Sequence, residues 1–323
     1  MTNKTQNESK RQPPGDLASH LPSYPGQRVA VGYGLNPQQF DNWQEAIPDT
    51  AIFPPPPIMG FLSSNSGNAS RDEAERAHKF CETTPLRLPC KPSAAVYSSA
   101  QKHDIRPVLP EEFHGACTNI APGRWKGSTR PGNGDCLIST NLPLYFPTED
   151  SPFVTEKSKT IYFEVKLLAL REGPGLASTD SSGFSIGFVA HPYPYWRSPG
   201  WERGSVGVFS DDGCRFVNDS WGGKEFTGAV SVGETVGLGM AFHLPYSSNL
   251  LSEGKGKKCH VKIFFTRNGR WIGGWDLHEE VDEDAGSVEG LEGDFDLYGA
   301  IGLFGGVDFE VYFDQAGWLW KPW

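Results

Sequence analysis

No apolar run approaches the roughly 18 residues that a membrane-crossing helix requires, so no membrane span is expected. The first fifteen residues (MTNKTQNESKRQPPG) carry no apolar core, so no signal peptide is expected either. The six cysteines contain no C-x-x-C pair, which removes the usual zinc and redox spacings. H-E-x-x-H and G-x-x-x-x-G-K are both missing, and with them the common metalloprotease and phosphate-cradle readings. No cofactor or metal is therefore expected. The setting read from these absences is reducing and cytoplasmic, at most peripheral to endomembranes.

Basic residues are also scarce where they would matter for nucleic acid. The chain holds 29 Lys and Arg against 39 Asp and Glu, a net charge of -10. Phosphate binding needs clustered cations, so a general nucleic-acid binder is excluded. The imbalance is local. Between Trp271 and Trp320 there is no Lys or Arg but there are 13 acidic residues, which leaves the remainder at +3. An acidic edge is expected there, with the run Glu279–Asp284 read as a solvated loop rather than a calcium site, since no EF-hand pattern is present.

Glycine and proline are abundant, at 38 and 26 of 323 residues. Both disfavour helix interiors, which weighs against a bundle. Residues 1–28 read as a disordered tail. Residues 29–104 read as a Pro-rich strap with one helix over about 70–82 and a linker over 85–104. Ser70 or Asn68 can cap that helix, Asp72 and Glu73 suit its first turn, and Pro85 and Pro89 end it. The run Pro54–Pro57 favours polyproline II, as a ligand for a partner or as a stiff strap on the main domain. From Ile105 onward, short β-prone runs alternate with turns such as Asp211-Asp212-Gly213 and Asn268-Gly269, the pattern of an antiparallel sandwich or barrel.

Within that region an ordered set of segments stands out: YFEV at 162–165, GFSIGF at 183–188, RSPGW at 197–201, GSVGVFSDDG at 204–213, ETVGLG at 234–239, IFFTRNG at 263–269, LYGAIGL at 297–303 and VYFDQ at 311–315. The succession resembles the SPRY domain. It is similar to the Ran-binding-protein-M type and to the membrane-anchored SPRY adaptors of ubiquitin ligases, and it covers 105–318, leaving a tail at 319–323. The resemblance implies a mostly β fold, a bent two-sheet antiparallel sandwich of concanavalin-like form. It also implies non-catalytic recognition of a protein or short peptide, with a substrate adaptor for ubiquitin ligation or trafficking as the specific form. A long connection at 244–258 and the acidic stretch depart from the family pattern. So does the lack of P-P-x-Y, which leaves the ligase wiring open.

The resemblance carries binding positions onto the loop 191–201 and the turn 303–306. Tyr193, Tyr195, Trp196, Arg197 and Trp201 on the first, and Phe304 and Gly305 on the second, are expected to touch a partner. Rigid aromatics with Arg are typical of interface hot spots. Trp201 can instead cover a sheet end. Trp125 either borders the binding face or plugs a sheet edge. Trp318, Trp320 and Trp323 read as core or clamp. Gly183-Phe184-Ser185-Ile186-Gly187 matches G-x-S-x-G, but Pro192 and Pro194 forbid the helix that a nucleophile elbow needs, so Ser185 reads as a sheet residue. Two other readings remain: a carbohydrate-binding sandwich that stacks sugars on Trp and Tyr, and a scaffold whose groove is filled by its own N-terminal strap.

Overall fold

Among the described residues, thirteen strands form two antiparallel sheets. In the six-stranded sheet the order is β1 (Pro107–Val108), β4 (Cys136–Thr140), β12 (Leu297–Phe304), β6 (Gly183–Ala190), β7 (Ser205–Phe209) and β8 (Arg215–Val217). The seven-stranded sheet runs β11 (Arg270–Asp276), β10 (His260–Arg267), β9 (Thr235–His243), β5 (Lys159–Arg171), β13 (Gly306–Tyr312), β3 (Arg124–Thr129) and β2 (Gly115–Ala121). This computed structural model describes residues 70–171, 182–219, 223–245, 257–279 and 288–321, all within the compact unit Gly60–Trp323. The tail and the first part of the strap, to residue 69, lie outside the described residues, as do 246–256, 280–287 and Trp221.

Side chains alternate across each strand, and one set from each sheet meets in the middle. Phe163, Val165 and Leu167 of β5, Phe184, Ile186 and Phe188 of β6, Leu238 and Met240 of β9, and Ile301 and Leu303 of β12 share this core. The expected Asn-Gly hairpin joins β10 to β11, with positive φ at Asn268 (52°) and Gly269 (72°), as a tight two-residue turn demands.

The outer face of the six-stranded sheet is covered as well, which is why β4, β6 and β7 are buried along their whole length, and part of the seven-stranded sheet's outer face is covered too. The C-terminal segment lies on the seven-stranded sheet. Trp318 and Trp320 pack on Tyr162 at 4.7 and 4.9 Å between ring centroids. The buried carboxylate of Glu164 accepts the backbone N–H groups of Leu319 and Trp320, each at 2.8 Å. The clamp reading of these two tryptophans describes that arrangement; Trp323 lies outside the described residues.

The connection His191–Gly204 lies on the six-stranded sheet. There Gly187 and Gly207 are cross-strand partners, and Pro199 sits against both. A Cβ on Gly187 would come within 2.2 Å of the Val206 carbonyl oxygen and 2.6 Å of Pro199 Cβ.

Helix α1 spans Arg71–Thr83, capped by a reciprocal Ser70–Glu73 box. The segment expected as a linker contains a second helix, α2 (Ala94–Gln101), whose Ser93 side chain accepts from Val96 N–H. The nearby prolines hid it. They lie before the cap, where they end the preceding segment without entering the helix. Among the described residues, four of the late acidic residues are paired with bases. Asp308 pairs with Arg171, Glu310 with Arg124, Glu279 with Arg215, and Glu292 with Lys258. Bases from other strands meet these acids, a register that composition cannot reveal; the run 280–284 itself lies outside the described residues.

Candidate functional site

The Pro- and aromatic-rich connection after β6 turns inward. Tyr193 is 2% exposed, and its hydroxyl donates to the Ser198 carbonyl at 2.6 Å and accepts from Glu202 N–H at 3.2 Å. Its ring packs with Leu137, Val189 and Ala300. Arg197 donates through Nε to Glu202 at 2.8 Å, both groups being buried, and its guanidinium lies 4.4 Å from the centre of the Trp201 ring. Burial pushes the Glu202 carboxyl up, against the pull of Arg197. Trp201 in turn stacks on Phe209 at 5.3 Å. Tyr193, Arg197 and Trp201 were expected to face a partner; the structure places them inside, as the fastenings of the loop. The Tyr193 hydroxyl and Arg197 Nε find partners within the connection itself, which removes the reason for their exposure.

Trp196 is half-buried beneath α1. Arg76 lies 3.5 Å from its ring centre, Phe80 meets it edge-on at 5.8 Å, and its indole N–H donates to the Glu73 carbonyl at 3.3 Å. Arg203 donates to the carbonyls of Cys81 and Thr84 at the helix end. The sequence shows an amphipathic helix and an aromatic loop, but not that one caps the other. Trp125, on β3 with β2 outside it, is half-buried too, its indole N–H donating to the Ile105 carbonyl at 3.1 Å. Of the loop aromatics, Tyr195 is the exposed one, at 38%, while its carbonyl accepts from Leu137 N–H.

At one end of the six-stranded sheet β4, β12, β6 and β7 lie side by side. Cys136 pairs with Leu303 and Leu303 with Phe184; beyond them Phe304 pairs with Gly183, while Asp135 immediately precedes β4 and Asp211 lies in the turn just after β7. Phe304 and Gly305, both expected to touch a partner, are buried, Phe304 being 4% exposed; its ring covers Gly183, where an added Cβ would meet it at 2.6 Å. The ring stacks toward Phe209 at 6.5 Å and so joins the Trp201–Phe209 aromatic cluster. Gly305 turns the chain at φ 65° and donates its N–H to the Asn133 carbonyl at 2.8 Å. Asn133 Oδ1 accepts from His114 N–H, which pins the 130–135 turn.

Two carboxyl groups lie at this end of the sheet. Asp135 is 9% exposed and Asp211 half-buried, and Oδ1 of each is buried without a hydrogen-bond partner. Burial pushes Asp135 up to about 8, against Arg197 and with Glu73 and Asp211 adding to it. Asp211 is pushed up to about 6 by burial and by Asp212. Sequence reasoning named Phe304 and Gly305 but passed over both aspartates, because a lone Asp after Gly134 and one in an Asp-Asp-Gly turn look like ordinary turn residues.

Ser185 lies mid-strand in β6, fully buried, and the strand runs on to Ala190 with no helix after it. Among the described residues no group of three or more His, Cys, Asp or Glu is placed to hold a metal. No helix among them is long and apolar enough to cross a membrane.

No family model matches the chain. A SPRY domain-containing protein of Schizosaccharomyces pombe is 34% identical over 139 residues, which is 43% of this chain and 27% of that protein. Protein ssh4 of Aspergillus fumigatus is 30% identical over 187 residues, 58% of this chain and 27% of the relative. The chain spans about a quarter of the length of these curated relatives. A crystal structure of a human SPRY domain is matched over 98% of its length by 62% of this chain, at 18% identity and a TM-score of 0.38. The chain is thus similar to SPRY domain proteins in sequence, as its succession of motifs implied.

Proposed function

We propose that this SPRY-like sandwich is a non-catalytic module that recognises a protein through a short peptide segment. The contact surface is the end of the six-stranded sheet that holds Asp135, Phe304, Gly305 and Asp211, with Tyr195 as an exposed aromatic on the adjoining loop. The observation that carries this reading is two carboxyl groups at this sheet end, Asp135 and Asp211, whose Oδ1 atoms have no partner, on a frame pinned by Asn133 and Gly305. A frame held this firmly does not need to refold on binding, so little ordering entropy opposes association. The mid-strand position of Ser185 supports the non-catalytic reading. A role as substrate adaptor for ubiquitin ligation or trafficking, from the cytoplasmic side of endomembranes, is the finer form of the proposal and rests on the resemblance alone.

The test is selection of a random peptide library against the full chain. Gly134 offers a blocking position, because nothing lies within 4 Å of where its Cβ would be. Enriched peptides should bind the native chain and lose at least about tenfold in affinity, roughly 1.4 kcal/mol, on Gly134→Trp, with an unchanged melting temperature. Enriched peptides that bind Gly134→Trp as well as the native chain place recognition on another face. Failure to enrich any peptide, together with saturable binding on a glycan array, overturns the reading in favour of a carbohydrate-binding sandwich.

A further inference from the structure

We infer that the end of the six-stranded sheet at Asp135, Phe304 and Asp211 is a subsite for one basic side chain, Lys or Arg, of the partner. This rests on the peptide-recognition reading above and adds the chemistry of one position in the peptide.

A carboxylate removed from water needs a cation or several hydrogen-bond donors. Asp135 has lost nine-tenths of its exposure, and nothing donates to its Oδ1. The cation that acts on it, Arg197, gives its Nε to Glu202 and lies over Trp201. The other charges that act on Asp135 are Glu73 of α1 and Asp211, both acidic. Asp211, in the turn after β7 and near enough to act on Asp135, repeats the same deficit at its own Oδ1. The site therefore holds two under-satisfied carboxylates and an aromatic ring. A cation satisfies all three, since a ring attracts positive charge while the carboxylates pair with it. At neutral pH an acidic partner group meets repulsion from the ionised Asp211 and leaves Asp135 holding its proton, whereas a cation lets both carboxyls ionise; an apolar group leaves both oxygens unpaired. Space for entry lies beside Asp135, where Cβ positions on Gly132 and Gly134 face nothing within 4 Å.

The experiment titrates the isotope-labelled full chain with N-acetyl-arginine amide and N-acetyl-lysine amide, and in parallel with N-acetyl-citrulline amide, which keeps the shape of arginine without its charge. Saturable amide shifts at Gly134, Asp135, Asp211 and Gly305 are expected with the charged probes. They should be absent with citrulline and lost in Asp135→Asn. That variant keeps the size of the side chain, and Asp211→Asn provides an independent second variant with the same expected loss. Equal shifts with citrulline, shifts scattered over the surface, or shifts that survive both variants overturn the subsite.

The two readings separate cleanly in the library selection. Peptides that are blocked by Gly134→Trp, lack Lys and Arg, and bind Asp135→Asn unchanged keep the recognition reading and overturn the subsite. Charged probes that saturate the site while no peptide is enriched keep the subsite and overturn peptide recognition.

Discussion

Arg197 and Glu202, five residues apart on one connection, form an ion pair at 2.8 Å with 3% of each side chain exposed. The pair closes the loop over the outer face of the six-stranded sheet, with Tyr193 and Trp201 on either side. Removing one partner of such a pair strands the other charge and costs about 3–5 kcal/mol. Arg197→Ala should therefore lower the denaturation midpoint strongly in urea, while Arg197→Met with Glu202→Leu should recover most of that loss. An unchanged midpoint in Arg197→Ala would show that the pair does not hold the loop.

Asp135 makes the opposite prediction. Its carboxyl ionises near 3.8 in the unfolded chain but is held up to about 8 by burial in the fold. Between those values the unfolded chain has lost a proton that the folded chain keeps, so folded stability falls as pH rises from about 4 to 8. Asp135→Asn removes this dependence. At neutral pH the variant should be more stable, by about 1–3 kcal/mol on the scale of an unsatisfied buried polar group, and the gain should vanish below about pH 4. Thermal melts of both proteins at pH 4 and pH 7.5 measure it. A gain in stability coupled to a loss of binding is the expected mark of a group kept for recognition.

The sandwich was legible in the sequence because strands announce themselves locally: Asn268-Gly269 forces a tight hairpin, and β5, β9 and β10 carry their own apolar patterns. Helix α1 was legible for the same reason, through Ser70 and Glu73. Of the proposed site, only Phe304 and Gly305 were legible. Whether Tyr193 or Tyr195 faces outward depends on which one finds a partner across the folded loop, and both look alike in the one-dimensional text. Trp196 is covered by α1, over a hundred residues earlier, and Asp135 meets Asp211 only through the register of four strands. Long-range pairing of this kind has no local signature.

His191 should contribute an acid-sensitive element. Its ring lies on Tyr298 at 4.0 Å between centroids, its Nε2 is buried without a partner, and burial with the nearby Arg87 lowers it from 6.5 to about 4. Above about pH 6.5 the ring is neutral in both states and has no effect. As pH falls below 6.5 the unfolded chain takes up a proton that the folded chain refuses, so stability is lost, by up to about 3 kcal/mol near pH 4. His191→Phe keeps a ring on Tyr298 without the titration. Its stability should fall less steeply than that of the native chain between pH 6.5 and 4, and parallel curves would remove His191 as the cause.

Gly187 tests whether the folded-in loop is a separable unit. A methyl group there would lie 2.2 Å from the Val206 carbonyl and 2.6 Å from Pro199 Cβ, closer than such atoms approach in real structures. The contact with Pro199 is relieved when the loop lifts, and the contact with the Val206 carbonyl when β7 shifts against β6. Gly187→Ala should therefore lift Pro199 and its neighbours away from the sheet, at a cost of about 1–3 kcal/mol for an overpacked site. Hydrogen exchange should then speed up over 191–204 and over α1, which rests on Trp196, while β5 and β9 keep their protection. Faster exchange spread evenly over both sheets would mean that loop and sandwich melt together. Unchanged exchange at α1 would mean that the helix holds to the sandwich without the loop beneath it.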